Sequence, residues 1–311
     1  MTRIVAVTGA TGFIGWHVAR RFLDNGWRVR ALVRPESGRP VPDGVERVTA
    51  PLREADVISA CRGATLIVHM AGAVGTRSAG EFSRSNVEAA GEVARAARGL
   101  GVRLVHMSSL GVTGPGSPGN PPTEDDPLRP INLYGESKRL REERVRAVDG
   151  LDWLIVRPTL VYGPRDRLFL PLFKLARHGL FPVLQTDARY NVIHVDDLAR
   201  GVEAVAVSAL SRETFFIGHP VSVSIDDILR TLASTFDQTY RPIPVPFALA
   251  RLGAWLGVGG LSAEHLREVG SVGFVCNVER AERCLGFRAE IGLADGFRSS
   301  AAWYRANQWL G

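Results

Sequence analysis

Cysteine is scarce in this 311-residue chain: Cys61, Cys276 and Cys284 form no close pair and no CxxC. That leaves nothing for a disulfide scaffold or a zinc ribbon and fits a reducing, cytoplasmic compartment. Seven histidines are scattered without an HExxH or a pair at ligand spacing beside an acid, so no metal is expected. Ser109 lacks a G-x-S-x-G elbow, and serine-hydrolase chemistry is unsupported. Long apolar runs are missing as well. The most apolar stretch, Val245 to Leu261, is interrupted by Arg251 and falls short of the roughly 20 residues a bilayer span needs. The start, MTRIVAVTGATGFIG, has no basic segment leading into an apolar stretch and a cleavage site, so no secretory leader is expected.

What is present points to a globular protein. Hydrophobic residues make up 45% and charged residues 23%, enough for a core without cross-links, and the length suggests roughly two domains. Lys and Arg number 38 against 32 Asp and Glu, a net charge of +6, but the arginines are interleaved with acids. The run RLREERVR, Arg139 to Arg146, reads as a solvated helix face, and no nucleic-acid partner is expected.

Apolar runs at Arg3–Val7, Arg28–Val33, Leu66–His69, Arg103–Met107 and Leu154–Val156 read as strands. Helical spacing fills Trp16–Asp24, Ala79–Leu100 and Leu133–Val148 between them. Such alternation predicts an α/β protein: a Rossmann-type, doubly wound parallel sheet with its ligand site at the carboxyl ends of the strands. Val112 to Pro130, rich in Gly, Pro and Asp, is a long loop at that end. After Pro164 the alternation is lost; Phe169–Gly179 and Asp196–Val207 look helical and Asn191–His194 extended. The expected division is a cofactor-binding Rossmann domain over 1–165, to which 190–215 return, and a smaller substrate-binding lobe over 166–189 and 216–311.

Gly9-Ala10-Thr11-Gly12-Phe13-Ile14-Gly15 follows a strand and opens a helix, the context a dinucleotide-binding loop requires. Gly9 permits the tight turn, Gly12 lets the backbone approach a pyrophosphate, and Gly15 lets the helix pack closely. The second strand ends at Arg34, where such folds usually carry an acid for the ribose diol. A guanidinium suits a 2′-phosphate, so NADP is expected in preference to NAD, with Arg30 on the same edge.

Tyr134 and Lys138 lie four residues apart, on one helix face. A cation there favours the phenolate and lets tyrosine serve as acid or base nearer neutral pH. Ser108 and Ser109, at the end of the preceding strand, offer a hydroxyl to hold a substrate oxygen.

With these segments in order, the chain resembles the extended short-chain dehydrogenase/reductases, epimerase/dehydratase-like with a steroid-dehydrogenase or dihydroflavonol-reductase flavour. The resemblance rests on TGATGFIG (Thr8–Gly15), HMAG (His69–Gly72), Asn86, SSLGVTG (Ser108–Gly114), YGESK (Tyr134–Lys138), RPTLVYGP (Arg157–Pro164) and IHVDDLA (Ile193–Ala199). It implies that Tyr134 is the general acid/base and that Lys138 lowers its pKa and binds the nicotinamide ribose. It selects Ser109, three residues before a VYG-like triplet, as the catalytic hydroxyl. It places Thr11, Phe13, Ile14, Ala71, Asn86 and the Pro158–Val161 segment around the cofactor. Asp196 and Asp197 read as helix caps. Two departures stand out: Ala50-Pro51-Leu52 replaces an aspartate common near the adenine, and the triplet reads VTG.

The expected activity is hydride transfer between a secondary alcohol and a carbonyl on a small or hydrophobic molecule. Gly75–Ala79, Gly114–Pro122, Arg165–Leu172 and the apolar carboxyl-terminal lobe are expected to line the pocket, with peripheral membrane contact as an option. The alternative is a nucleotide-sugar epimerase or dehydratase with tightly bound NAD, using Arg165, Arg167 and Arg189 for a diphosphate. A homodimer through the helices bearing Asn86 and Tyr134 is plausible.

Overall fold

The computed structural model describes residues 3–72, 79–184, 187–246, 248 and 273–310. Residues 75–78 of the expected pocket, and 247 and 249–261 of the apolar stretch, lie outside them.

Seven parallel strands form the main sheet: β1 (Ile4–Thr8), β2 (Arg28–Val33), β3 (Glu46–Thr49), β4 (Leu66–His69), β5 (Arg103–Met107), β6 (Trp153–Pro158) and β10 (Glu213–Ile217). Their spatial order is β10-β6-β5-β4-β1-β2-β3. The order reverses between β1 and β4, whose last residues, Thr8 and His69, are register partners. A crevice therefore opens at these carboxyl ends, where a doubly wound sheet binds its ligand.

Both faces of the sheet are covered at its centre, which is why β1, β4, β5 and β6 are near-continuous buried runs. Val5 and Val7 of β1 point to one side, against Val18, Ala19 and Phe22 of α1 (Phe13–Asp24) and Leu198, Val202 and Val205 of α6 (Val195–Val207). Ala6 points to the other, into a core with Val57 of α2 (Glu54–Ala60), Ala90, Val93 and Ala97 of α3 (Ala79–Leu100) and Val145 of α4 (Leu133–Arg146). This is the period-2 alternation of a strand read in three dimensions.

Beyond β6 the chain builds a second body. β7 (Leu160–Tyr162) and β13 (Gly273–Phe274) pair parallel with β9 (Arg189–His194), and β11 (Ser222–Ser224) pairs antiparallel with it. A short ladder joins β8 (Leu180–Val183) to β12 (Arg241–Pro244). The core of this body is aromatic. Phe173 of α5 (Leu170–Ala176) meets Tyr304 of α9 (Leu293–Ala306) edge to face at 4.9 Å, and Tyr162 meets Phe297 at 5.0 Å. Two more helices, α7 (Ile225–Ser234) and α8 (Glu279–Leu285), complete the described elements. β10 is the strand the loss of alternation concealed: its Glu213–Ile217 run rejoins the main sheet beside β6.

Candidate active site

The glycine loop is shaped by what a side chain would hit. Gly9 has φ +81°, and a Cβ there would lie 2.9 Å from the Ala71 amide nitrogen; on Gly15 it would lie 2.1 Å from the Gly9 carbonyl oxygen. The amide of Gly12 donates to the Gly9 carbonyl at 3.0 Å, closing the turn. Gly12 is the N-cap of α1 in extended conformation, with no side chain capping the helix. Its first amides are left for an anion, reinforced by the helix dipole. These features fit a dinucleotide pyrophosphate. Phe13 and Ile14 form the first turn, half-buried; Thr11 sits half-buried in the loop.

Thr8 ties the two banks of the crevice together. Its hydroxyl oxygen accepts the Met70 and Ala71 amides, both at 3.1 Å, and the hydroxyl shares a hydrogen bond with His69 Nδ1 at 2.7 Å. Burial, with the Arg141 and Lys138 charges, holds His69 well below the usual histidine range, so the ring is neutral.

Tyr134 and Lys138 project from the start of α4. Asn132 caps this helix, its Oδ1 accepting the Gly135 amide at 2.7 Å. Tyr134 is 38% exposed, at the surface of the crevice, whereas Lys138 is 9% exposed beneath it. The Lys138 ammonium lies 5.7 Å from the centre of the Tyr134 ring and donates to the Met107 carbonyl at 3.1 Å. Burial, then the Arg141 charge, pushes Lys138 well below the ordinary lysine range, against the opposing pull of Glu142. Ser109 caps the short 3-10 turn Leu110–Val112, its Oγ accepting the Gly111 amide at 3.1 Å. A Cβ on Gly111 would lie 3.5 Å from Ser109 Oγ and 3.8 Å from Tyr134 Cδ1, so these two side chains border one small space. Ser108 instead turns inward, 1% exposed.

The remaining candidates are spread around this centre. Ala71 follows β4 and is half-buried; Asn86 is half-buried on α3; Pro158 is buried at the end of β6, and Val161 on β7 packs against the main core. Arg34 is exposed beyond β2, with Glu36 at 3.4 Å. Arg30 is engaged elsewhere, donating to the Ala60 and Arg62 carbonyls at 2.8 and 3.1 Å.

Some readings are corrected. Asp196 and Asp197 are not caps: His194 Nδ1 caps α6, Asp196 pairs with His17 at 2.8 Å, and Asp197 accepts the Glu290 and Ile291 amides at 2.8 and 2.7 Å. Nor is RLREERVR all solvated. Arg141 and Glu142 are 2% and 0% exposed. Glu142 takes Arg157 of β6 bidentately, at 2.9 and 2.8 Å, and Arg157 also donates to the Glu124 carbonyl at 3.2 Å. Burial pushes the Glu142 carboxyl up, but Arg157, with help from Ser108 and Arg146, holds the group below the ordinary range. The loop over 113–131 is thereby anchored, since Glu124 Oε1 also accepts the Phe216 amide of β10 at 2.9 Å. Nothing local signals this cluster; the partners come from separate elements.

A doubly wound sheet, a glycine cradle at the β1–β4 switch point and a Tyr/Lys helix define an extended short-chain dehydrogenase/reductase, an NAD-dependent enzyme class. The chain belongs to the NAD-dependent epimerase/dehydratase family, whose model matches residues 5–218. It is 32% identical to a ceramide reductase of Caulobacter vibrioides over 99% of this chain and 96% of that protein. Among solved structures it is similar to MoeE5 in complex with UDP-glucuronic acid and NAD, with 25% identity, a TM-score of 0.78 and coverage of 97% of this chain and 99% of that one. The crystal structure of gox2253 shares the fold over 100% of both chains, with a TM-score of 0.85 and 24% identity.

Proposed function

We propose that this enzyme is an NADPH-preferring reductase that interconverts a carbonyl and a secondary alcohol on a hydrophobic, lipid-like molecule. The observation that carries this reading is that Ser109 and Tyr134 border one small space, with the Lys138 ammonium 5.7 Å from the Tyr134 ring. When bound, the reduced cofactor supplies the hydride for the carbonyl carbon. Ser109 holds the carbonyl oxygen and Tyr134 gives it the phenolic proton, leaving a phenolate beside the Lys138 ammonium. With Tyr134 38% exposed, solvent restores its proton. In the reverse direction the phenolate takes the hydroxyl proton.

In this reading the amides of Gly12, Phe13 and Ile14 face the pyrophosphate, with Gly9, Thr11 and Gly15 shaping the loop. Ala71, Asn86, Pro158 and Val161 line the cofactor cleft, and Lys138 holds the nicotinamide ribose. Arg34 takes the 2′-phosphate, exchanging its exposed and therefore weak pairing with Glu36. Residues 1–165 and 190–215 serve the cofactor, and 166–189 with 216–311 serve the substrate. The similarity to a ceramide reductase over nearly the whole chain supports a lipid-like substrate. So do Leu133, 58% exposed beside Tyr134, and Leu168, 67% exposed on a segment assigned to the pocket. The arginines an epimerase or dehydratase would turn on a nucleotide-sugar diphosphate are engaged otherwise. Arg189 donates to the Ser222 carbonyl at 2.6 Å, Arg165 stacks on Trp16 at 3.7 Å and Arg167 lies over Trp309 at 5.1 Å.

The test is to denature the dialysed protein, identify any released nucleotide, and then titrate the enzyme with NADPH and NADH before assaying long-chain ketones. Expected are an empty site, preferential NADPH binding abolished by Arg34→Glu, and a Tyr134→Phe variant that binds NADPH yet turns over roughly 10²–10⁴-fold more slowly. Near-stoichiometric retained NAD would sink this reading in favour of an enzyme that oxidises and re-reduces its substrate on one cofactor.

A further inference from the structure

We propose that Arg141 is a positioning residue for the reaction: it braces the turn after β4 against the Tyr134–Lys138 helix and sets the charge environment in which that pair exchanges a proton. The inference rests on the reading of Tyr134 and Lys138 as the proton-handling pair.

Residues 134, 138 and 141 are spaced by four and three, so their side chains form one stripe along α4. The stripe passes from the open crevice inward, from Tyr134 at 38% exposed through Lys138 at 9% to Arg141 at 2%. The Arg141 guanidinium donates to the Ala71 carbonyl at 2.6 Å and stands 3.4 Å from His69 Nε2. It passes Gly72 so closely that a Cβ there would lie 2.4 Å from Nη1, so only glycine leaves room for this contact. The turn over 70–72 is thus held from two sides, by Thr8 from β1 and by Arg141 from α4.

Bracing alone does not explain a charge at this place. Among the described residues the guanidinium meets no carboxylate, and its Nε is buried without a hydrogen-bond partner. Arg157, also buried, shows the contrast with its bidentate Glu142. A desolvated guanidinium without a counter-ion is a net burden on the fold. His69 is no counter-ion: burial keeps its ring neutral, and it meets the guanidinium only through Nε2 at 3.4 Å.

The field of this charge falls on the groups around it. Facing the cluster are His69 from β4, stacked on His106 from β5 at 5.4 Å, Lys138 and Tyr134 above, and Glu142 on α4. Glu142 is drawn off by Arg157 of β6 and by Arg146. α3 meets α4 further along, through Gly91 against Arg144. Arg141 therefore acts on Lys138 and Tyr134 as a nearby like charge and an opposite charge respectively, easing deprotonation of both.

The test needs no substrate. Phenolate formation is followed by near-ultraviolet absorbance in the unliganded protein, and the Tyr134 signal is isolated by subtracting the matching Tyr134→Phe titration. Burial pushes Tyr162 and Tyr304 up, and Tyr240 is pushed up to about 12, which keeps those phenols late. Arg141→Met is expected to move the Tyr134 midpoint alkaline by about one unit, and Arg141→Lys to return most of it. Should Arg141→Met not fold, Arg141→Gln, which keeps a donor for the Ala71 carbonyl, carries the same test. In the reduction assay the high-pH limb, where the phenol is lost, moves alkaline with the same variants. An unmoved Tyr134 midpoint in a folded neutral variant overturns the inference, even if turnover falls. If the midpoint moves but the wild type reduces no carbonyl, the inference stands and the reductase reading falls.

Discussion

A methyl group on Gly15 would meet two backbone atoms of Gly9, the carbonyl oxygen at 2.1 Å and its carbon at 2.6 Å, and backbone cannot step aside as a flexible side chain can. Gly15→Ala must therefore push α1 away from the loop that aims its amides. The expected outcome is a loss of about 1–3 kcal/mol in denaturant unfolding together with loss of NADPH binding by fluorescence titration. Gly26 is the internal control: a Cβ there meets nothing within 4 Å, although its φ of +78° still penalises a side chain. At this scale much of the candidate site's layout was legible in the sequence. Glycine spacing and the Tyr134–Lys138 interval are local patterns with direct chemical meaning. Arg141 and Glu142 were not legible, because a run of alternating charge looks solvated until partners from β4 and β6 are folded onto it.

The helix that carries Tyr134 and Lys138 is held at its far end by a buried ion pair. Glu142, one turn beyond Lys138, is locked to Arg157, so α4 and β6 are fixed to each other and the loop over 113–131 hangs from the same guanidinium through Glu124. Breaking one partner strands the other. Glu142→Gln is expected to cost about 3–5 kcal/mol in urea unfolding, and the double change Glu142→Gln with Arg157→Met clearly less than the sum of its parts. The pH dependence follows from the depressed Glu142 pKa: its contribution is present above the ordinary carboxylate range and is lost as pH falls through the lower folded value. Wild type should thus lose stability steeply on acidification, and the Glu142→Gln variant less so. Most element positions through β6 were readable from period and punctuation; β3 and α2, four and seven residues long, were not. Past Pro164 the segments of α5, β9 and α6 were still readable, but β8, β11, β12 and β13 were not, being runs of two to four residues whose pairing is decided by distant strands.

At the scale of the molecule, an aliphatic sheet carries the cofactor crevice and an aromatic body stands beside it. Asp197 on α6 ties the two, accepting the amides of Glu290 and Ile291 just before α9 begins. The two cores could not be told apart by composition, because each draws on segments far apart in the chain. This architecture also divides the chain's two lysines. Lys174 is exposed on α5, whereas Lys138 lies under the phenol on the crevice floor. An amine-acylating reagent should therefore mark Lys174 within its ordinary reaction time and reach Lys138 only when α4 lifts from the sheet. Peptide mass spectrometry of the label at Lys138 then becomes a clock for local opening of α4, read against Lys174 as its built-in reference.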